Sequence, residues 1–372
     1  MEPPVSRSQP KHINIGVVGL GIIGGGIACH LRRKGFSVFV WNRSPRPVPN
    51  FVGSLGELAG LCNYIQIFVS DDDALLQTVE QLSEKLTRRH VVFAHSTVAP
   101  DSMRAAAELV ERRRARFVEA CFTGSKGAAE KGELVYYVSG TEEALRKGRP
   151  ILEASSKEIL QIGAVGQASA IKVATNMVTA ASVEAAAEAL ALVQTQGLPP
   201  EKFVEAMRAN ASYSGTLAMK LPKMLGGDFE PHFSVKHMLK DMQIVSEIAL
   251  SHYLDLGVTA AAREQLVEQM QWGHGEDDYS AVLRKYLHEP GPGLYEEPQI
   301  QQPHEPSGAE ESVTGTAEAE TQNLEAQETG VVVSQESLLS LSGNATATTP
   351  AAAPVRRGFL RQLLSRLSSG QE

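Results

Sequence analysis

A lysine and an asparagine one helical turn apart are well suited to proton transfer. Lys172 and Asn176 lie at i and i+4 in an alanine-rich segment, residues 168–196, that contains no Gly or Pro. A helix there places both side chains on one face. A lysine ammonium is a proton donor whose pKa falls on desolvation, which suits a general acid oriented by the asparagine. A lysine that snorkels to solvent fits the same spacing equally well.

A glycine-rich turn near the N-terminus has the composition of a phosphate-binding loop. The apolar residues 13–18 are followed at once by Gly19-Leu20-Gly21-Ile22-Ile23-Gly24 and a helix-like segment. In this order Gly19 allows a tight turn, Gly21 lets the backbone approach a pyrophosphate, and Gly24 lets the helix pack on the strand. The unit predicts a bound dinucleotide, and a glycine turn without a ligand is the alternative.

The residues after the second strand-like run, Ser37–Trp41, indicate which dinucleotide binds. An NAD site usually carries Asp or Glu there for the ribose 2′-hydroxyl, whereas this chain has Asn42-Arg43-Ser44. An arginine can pair with a 2′-phosphate, and no carboxylate repels it. We therefore expect NADP (NADPH), with NAD possible and a solvated loop arginine as the alternative. When a nicotinamide delivers hydride to a carbonyl carbon, Lys172 would protonate the oxygen.

Short apolar runs alternate with helix-like segments as far as about residue 163, which predicts an α/β Rossmann domain with a mainly parallel sheet. The further strands are predicted at residues 64–69, 90–94, 117–120 and 134–138. Ligands of such sheets lie beyond the carboxyl ends of the strands. The residues near those ends are Val69-Ser70-Asp71, His95-Ser96-Thr97 and Thr123-Gly124-Ser125-Lys126-Gly127. We expect Val69, Ser70 and Thr97 at the cofactor, and a small anion site in the last segment.

Composition changes divide the rest of the chain. Residues 1–12 are predicted to be flexible, 13–165 to form the NADP-binding domain, and 166–288 to form an all-helical substrate and dimerisation domain. Its helices are expected at residues 168–196, as one buried helix with Gly197 near its C-cap, and at 200–210, 234–250 and 260–272. Residues 289–354 read as a disordered linker and 355–372 as a basic amphipathic tail helix. Such a helix could dock on a partner, and a tail without function is the alternative.

Composition and charge limit the classes of function. The formal net charge of −8 argues against nucleic acid as the main partner. Three widely spaced cysteines give no disulfide framework, and neither a secretion signal nor a run near membrane-spanning length is found, so we expect a soluble cytoplasmic protein. Four segments show no metal-ligand spacing and are predicted to be surface or loop residues: His95, His232, His237 and Asp71-Asp72-Asp73. No metal site is therefore expected.

Four motifs in order resemble the β-hydroxyacid dehydrogenase family, which includes 3-hydroxyisobutyrate dehydrogenase and is related to 6-phosphogluconate dehydrogenase. They are Gly-Leu-Gly-Ile-Ile-Gly at 19–24, Glu-Ala-Cys-Phe-Thr-Gly-Ser at 119–125, Gly166 through Lys172 to Asn176, and Lys240-Asp241. The resemblance spans about residues 13–287. Residues 41–44, 124–126 and 235–241 look most like the glyoxylate and succinic semialdehyde reductases of that family, which generally use NADPH.

The resemblance assigns roles that the residues alone leave open. It implies that Lys172 is the catalytic acid assisted by Asn176, that the 123–125 segment holds a substrate carboxylate, and that Lys240 and Asp241 line the interdomain cleft. Taken alone, Lys240-Asp241 indicates a solvated helix face. The family also implies a homodimer or homotetramer paired through the helical domain. Cys121 and Thr123 stand where the family usually has Pro and Ser, and Ile23 where it usually has Met.

Three functions fit these features. The first is an NADPH-preferring reductase of a small carboxylate-bearing aldehyde or keto acid, such as glyoxylate or succinic semialdehyde. The second is an NAD-dependent dehydrogenase of the 3-hydroxyisobutyrate type. The third is a non-catalytic dinucleotide-binding scaffold that acts through its C-terminal tail.

Overall fold

The computed structural model describes residues 13–287, which fall within one compact unit of the chain. The predictions for residues 1–12, for the linker at 289–354 and for the tail helix at 355–372 lie outside the described residues. All three cysteines lie inside them and are free thiols, Cys29 exposed and Cys62 and Cys121 buried.

A seven-stranded sheet forms the first half of the described chain, and it confirms the predicted mainly parallel α/β class. Its strands are β1 Asn14–Val18, β2 Ser37–Trp41, β3 Tyr64–Ile67, β4 Val91–Ala94, β5 Arg116–Thr123, β6 Leu134–Gly140 and β7 Ser156–Gly163. Their order is β2-β1-β3-β4-β5-β6-β7. All neighbours pair in parallel except β5 and β6. Strand β7 was not predicted, because its sequence is largely polar and it pairs only at the edge of the sheet.

Six helices cover the sheet, and local sequence signals explain where several of them begin. They are α1 Ile22–Arg33, α2 Leu55–Leu61, α3 Asp72–Ser83, α4 Pro100–Glu111, α5 Lys126–Lys131 and α6 Glu142–Glu153. Ser54, Asp71 and Thr141 are N-cap residues whose side chains each accept a first-turn N–H. Asp71 accepts from the Ala74 amide at 2.8 Å, so its role at the end of β3 is to cap α3.

The second half is helical, as predicted. It contains α7 Gln167–Thr195, α8 Pro200–Arg208, α9 Gly215–Gly226, α10 Val235–Ser251 and α11 Gly257–Gln271, followed by a 3₁₀ helix, Tyr279–Tyr286. Gly197, just past α7, has a φ of 69°, which suits the predicted helix end. Helix α7 is continuous but is not buried throughout. Val178 and Leu192 are 62% and 65% exposed, because only one side of α7 packs on its neighbours.

Helix α7 also corrects the expectation that no segment approaches membrane-spanning length. Among residues 13–287 it is the helix that is long and apolar enough to cross a bilayer, by length and composition. In the fold it packs against β5, β6, α9 and α10. Its apolar face therefore forms part of a protein core, including Val183 and Ala187.

Large apolar side chains are exposed in the helical half. Leu250, Tyr253, Leu254 and Val258 cluster around the end of α10 and the start of α11. Self-association through this half of the chain, which the family resemblance implies, stays a prediction.

Candidate active site

A cleft of about 550 Å³ lies at the carboxyl edge of the sheet, facing α7, α9 and α10. Fourteen of the predicted site residues line it: Gly21, Ile22, Ile23, Gly24, Val69, Ser70, Thr97, Thr123, Gly124, Ser125, Lys172, Asn176, Lys240 and Asp241. The other predicted residues, Gly19, Leu20, Asn42, Arg43 and Ser44, lie outside this lining. The lining residues that follow strands come together because the carboxyl ends of parallel strands meet at one edge of the sheet. Helices α7 and α10 contribute the remaining four, Lys172, Asn176, Lys240 and Asp241.

The glycine loop has the shape that a dinucleotide requires. Gly19 has a φ of 91°, and a Cβ on it would lie 1.9 Å from the Phe68 carbonyl oxygen. A Cβ on Gly24 would lie 2.1 Å from the carbonyl oxygen of Gly19, whereas nothing lies within 4 Å of one on Gly21. Helix α1 begins here without a capping side chain, so its N-terminus is available to an anion. The loop therefore fits a pyrophosphate at Gly21.

Asn42 fixes the loop after β2. Its Oδ1 accepts from the Leu20 amide at 3.0 Å, and its Nδ2 donates to the Ser44 carbonyl oxygen at 2.9 Å. Arg43 is exposed beside this bridge and has no ion-pair partner within residues 13–287. Its guanidinium is therefore available to a ligand at the outer end of the glycine loop.

The predicted lysine and asparagine belong to a buried hydrogen-bonded chain. Lys172 Nζ donates to Asn176 Oδ1 at 2.9 Å, and Asn176 Nδ2 donates to Asp241 Oδ2 at 2.6 Å. Lys172 is 8% exposed and Asp241 is fully buried. Lys172 therefore does not snorkel to solvent, and its ammonium lies at the cleft with a carboxylate two hydrogen bonds away.

Burial and neighbouring charges act on Lys172 in opposite directions. Burial lowers the pKa of its ammonium and is the largest effect, while the charge of Asp241 raises that pKa. Smaller effects come from Cys121, which raises the pKa, and Lys240, which lowers it. The ammonium is thus easier to deprotonate than an exposed lysine, as proton donation requires.

Lys240 on α10 connects the helical part of the site with the loop that follows β4. Its Nζ donates to Asp241 Oδ1 at 2.7 Å and to the carbonyl oxygen of Thr97, across 143 residues of sequence. The solvated face that Lys240-Asp241 alone indicates is therefore wrong, because tertiary packing buries Asp241, which accepts from Lys240 and from the Asn176 amide.

The loop formed by residues 123–125 faces the same cleft. Gly124 has a φ of 143°, and a Cβ on it would lie 2.7 Å from the Leu134 side chain. Ser125 Oγ accepts from the Ala128 amide at 3.4 Å. All three residues of this loop line the cleft that holds Lys172.

His95 lies in the loop after β4, which agrees with the prediction of a surface or loop residue, but it is not at the surface. It is fully buried, stacks on Phe68 at 4.3 Å and donates from Nδ1 to the Ala120 carbonyl oxygen at 2.8 Å. Burial lowers its pKa to about 3, so the ring is neutral. His95 is buried because the ends of β3, β4 and β5 lie side by side, and a single histidine in the sequence does not indicate this.

His232 and His237 line the same cleft as His95. His232 is exposed, and His237 Nδ1 pairs with Ser234 Oγ at 2.7 Å. No group of three His, Cys, Asp or Glu residues within 13–287 could hold a metal ion.

Sequence reasoning missed part of the cleft wall. Phe68, Phe122, Thr216, Met219 and Phe233 line it, and none carries a motif of its own. It also missed the buried pair in which Lys220 Nζ donates to Asp278 at 2.7 Å, since these residues are 58 positions apart.

Two family models divide the chain between them. Residues 14–163 match the NAD binding domain of 6-phosphogluconate dehydrogenase, and residues 166–286 match the NAD-binding model of NADP-dependent 3-hydroxyisobutyrate dehydrogenase. The chain belongs to the β-hydroxyacid dehydrogenase family. The dehydrogenases and reductases among its relatives are NAD(P)-dependent enzymes that act on CH-OH groups, and the two models confirm the predicted nicotinamide cofactor at this coarser level.

Family relatives cover most of the described chain. Glyoxylate/succinic semialdehyde reductase 1 of Arabidopsis thaliana is 27% identical over 281 residues, 73% of this chain and 97% of the relative. L-threonate dehydrogenase of Cupriavidus necator is 28% identical over 282 residues, 73% and 95% of the two chains. A crystal structure of 3-hydroxyisobutyrate dehydrogenase from Salmonella typhimurium has a TM-score of 0.68 at 24% identity, covering 73% and 99%. That last likeness confirms the fold.

Proposed function

We propose that this chain is an NADPH-preferring reductase of small aldehydes or keto acids that carry a carboxylate, such as glyoxylate or succinic semialdehyde. The observation that carries the proposal is the buried Lys172 ammonium at the cleft, hydrogen-bonded to Asn176 and backed by Asp241. A bound nicotinamide would supply the hydride. Lys172 would donate a proton to the oxygen of the reduced carbonyl, and Asn176 would hold the amine in place.

Two further features support the substrate and cofactor. Residues 123–125 line the cleft that contains Lys172, and the backbone N–H and hydroxyl groups of such a loop suit a carboxylate on the same small molecule. Arg43 is exposed and unpaired in the described chain, which suits a 2′-phosphate. The similarity to a glyoxylate/succinic semialdehyde reductase agrees with the substrate assignment.

A substrate panel with both cofactors tests the proposal. We expect the purified chain to oxidise NADPH faster than NADH with glyoxylate or succinic semialdehyde. Butanal matches succinic semialdehyde in chain length but lacks the carboxylate. We expect its kcat/KM to be lower by about 100-fold or more, because polar groups built for a substrate would be left unpaired.

The same panel separates the alternatives. Faster oxidation of 3-hydroxyisobutyrate with NAD than any reduction with NADPH would favour the second function. Tight NADPH binding without turnover on any substrate would favour the non-catalytic scaffold.

The pH dependence of reduction depends on Lys172 and Asp241. The ammonium must be protonated to act as an acid, so the rate should fall as pH rises through the Lys172 pKa. Asp241→Asn removes the charge that opposes the effect of burial, so the Lys172 pKa falls and this alkaline limb moves to lower pH. The pH profile of kcat/KM measures the shift.

Glu276→Gln is the matched control, because Glu276 also lines the cleft but pairs with the exposed Lys236. Its alkaline limb should coincide with that of the unmodified chain. If the alkaline limb of Asp241→Asn lies at the same pH as that of the unmodified chain, Asp241 does not influence the pKa of the Lys172 acid.

A further inference from the structure

Helix α7, which carries Lys172 and Asn176, begins without a cap of its own. Its N-cap residue is Gly166, in the left-handed region with a φ of 94° and no side chain to accept an N–H. A side chain is disfavoured there, because a φ of 94° is strained for any residue with a Cβ, and that Cβ would also lie 3.2 Å from the Pro100 carbonyl oxygen. The amides of the first turn must therefore find acceptors elsewhere in the fold.

A carboxylate on β5 supplies those acceptors. Glu119 Oε2 accepts from the Gly166 amide at 2.6 Å, and Oε1 accepts from both the amide and the hydroxyl of Ser169 at 2.6 Å. Glu119 is fully buried, and no lysine or arginine within residues 13–287 forms an ion pair with it. Burial raises the pKa of its carboxyl, while the hydrogen bonds from Ser169 and Gly166 at the start of α7, an end that favours an anion, act in the opposite direction.

Ser139 on β6 caps the same turn with a neutral group. Its Oγ accepts from the Ala168 amide at 3.2 Å. Two adjacent strands therefore hold the start of α7, one through a carboxylate with three contacts and one through a hydroxyl with a single contact. The pair provides an internal comparison between a strong and a weak attachment of the same helix.

Glu119 connects the two parts of the candidate site. It lies four residues before Thr123 on β5, the strand that leads into the loop at residues 123–125. Its partner Ser169 lies three residues before Lys172, about one helical turn away. Ser169 Oγ also lies 3.7 Å from the thiol of Cys121, which is buried on the same strand. Glu119 thus forms the strongest hydrogen-bonded link between the strand that leads to the 123–125 loop and the helix that carries Lys172.

We propose that Glu119 is a positioning residue for the reaction: it holds the start of α7 on β5 so that Lys172 reaches a carbonyl whose carboxylate rests on the 123–125 loop. Glu119 itself is not among the residues that line the cleft. This inference rests on the proposed reductase function. It predicts that Glu119 controls turnover more than it controls cofactor affinity.

Glu119→Gln tests the role with little change of shape. The glutamine side chain keeps one acceptor oxygen, but its NH₂ group faces either the Gly166 amide or the Ser169 donors. At least one hydrogen bond is therefore replaced by two donors that face each other. We expect kcat to fall about tenfold or more, since small misplacements of reacting groups have large effects on rate. The NADPH dissociation constant should stay within about twofold, because the glycine loop is untouched.

Ser139→Ala is the matched control, and Glu119→Asp is the conservative rescue. Ser139→Ala weakens the same turn without freeing Ser169, so its thermal midpoint should fall while kcat stays within about twofold. Glu119→Asp keeps the charge on a shorter side chain and should recover part of the loss. Rates are divided by the folded fraction measured at the assay temperature. Wild-type kcat in Glu119→Gln, or equal losses in Glu119→Gln and Ser139→Ala, would overturn the positioning role.

A second measurement needs no turnover and keeps this inference separate from the proposed function. Competitive labelling with acetic anhydride, read by mass spectrometry, reports the exposure and protonation of Lys172 in the NADPH-bound chain. We expect the labelling of Lys172 to change in Glu119→Gln and to be unchanged in Ser139→Ala. An unchanged pattern in both variants would refute the positioning role. Absence of turnover with every substrate, together with the expected labelling change, would instead refute the reductase proposal alone.

Discussion

Replacing Lys172 with methionine should lower kcat for carbonyl reduction by at least about 100-fold, the loss expected when a general acid is removed. Methionine keeps most of the volume of the buried side chain but has no proton to give. NADPH affinity should change little, because Lys172 lies on α7 and the glycine loop lies at the start of α1. Steady-state kinetics and a fluorescence titration with NADPH measure the two quantities.

The size of this effect follows from the surroundings of the amine. Lys172 is buried, and its hydrogen-bond partner Asn176 cannot act as a Brønsted acid in its place. The second lysine of the cleft, Lys240, is already engaged with Asp241 and the Thr97 carbonyl oxygen. A loss of about 100-fold corresponds to about 2.7 kcal/mol of transition-state stabilisation.

Controls separate this loss from unfolding. Lys172→Ala should reduce kcat by a similar factor, although it also leaves a cavity that lowers the thermal midpoint. Lys202→Met alters an exposed lysine on α8 that pairs with Glu205, and should leave kcat unchanged. Normal turnover in Lys172→Met would exclude Lys172 as the acid.

Arg43→Asp should lower the ratio of kcat/KM for NADPH to that for NADH by about 100-fold. A charge-assisted hydrogen bond contributes about 1.5–3 kcal/mol, and the aspartate adds repulsion against a 2′-phosphate. The same carboxylate can accept from the ribose 2′-hydroxyl of NADH. The loop should keep its shape, because Asn42 holds it through Leu20 and Ser44.

Arg208→Asp is the control for net charge. Arg208 is exposed at the end of α8, and its replacement makes the same change in charge. The cofactor ratio should then match that of the unmodified chain. An unchanged ratio in Arg43→Asp would show that Arg43 is an ordinary loop residue, the alternative that its sequence allows.

Local sequence patterns determine much of this molecule. The spacing of Gly19, Gly21 and Gly24 predicts the turn and the start of α1, although the contact that excludes a Cβ at Gly19 comes from Phe68, just after β3. The spacing of Lys172 and Asn176 predicts their hydrogen bond, since helical periodicity alone brings i and i+4 together. Both features are local, and local geometry is encoded by adjacent residues.

Edge and exposed elements were harder to predict from the sequence. Strand β7 lacks an apolar run, because an edge strand needs little burial. Helix α7 looks buried throughout by composition, yet Val178 and Leu192 face outward. Composition reports average polarity, whereas the side of a helix that packs depends on its neighbours.

The sequence by itself determined the fold class, the nucleotide loop and the Lys172–Asn176 pair. Only the tertiary structure decided that Asp241 is buried beside them, that His95 is buried at the carboxyl end of β4, and that Glu119 on β5 caps α7. Each of these contacts joins residues 25 to 65 positions apart. A charged or polar residue becomes costly or useful only through the burial and partners that such distant segments provide, and neither is visible in its immediate neighbours.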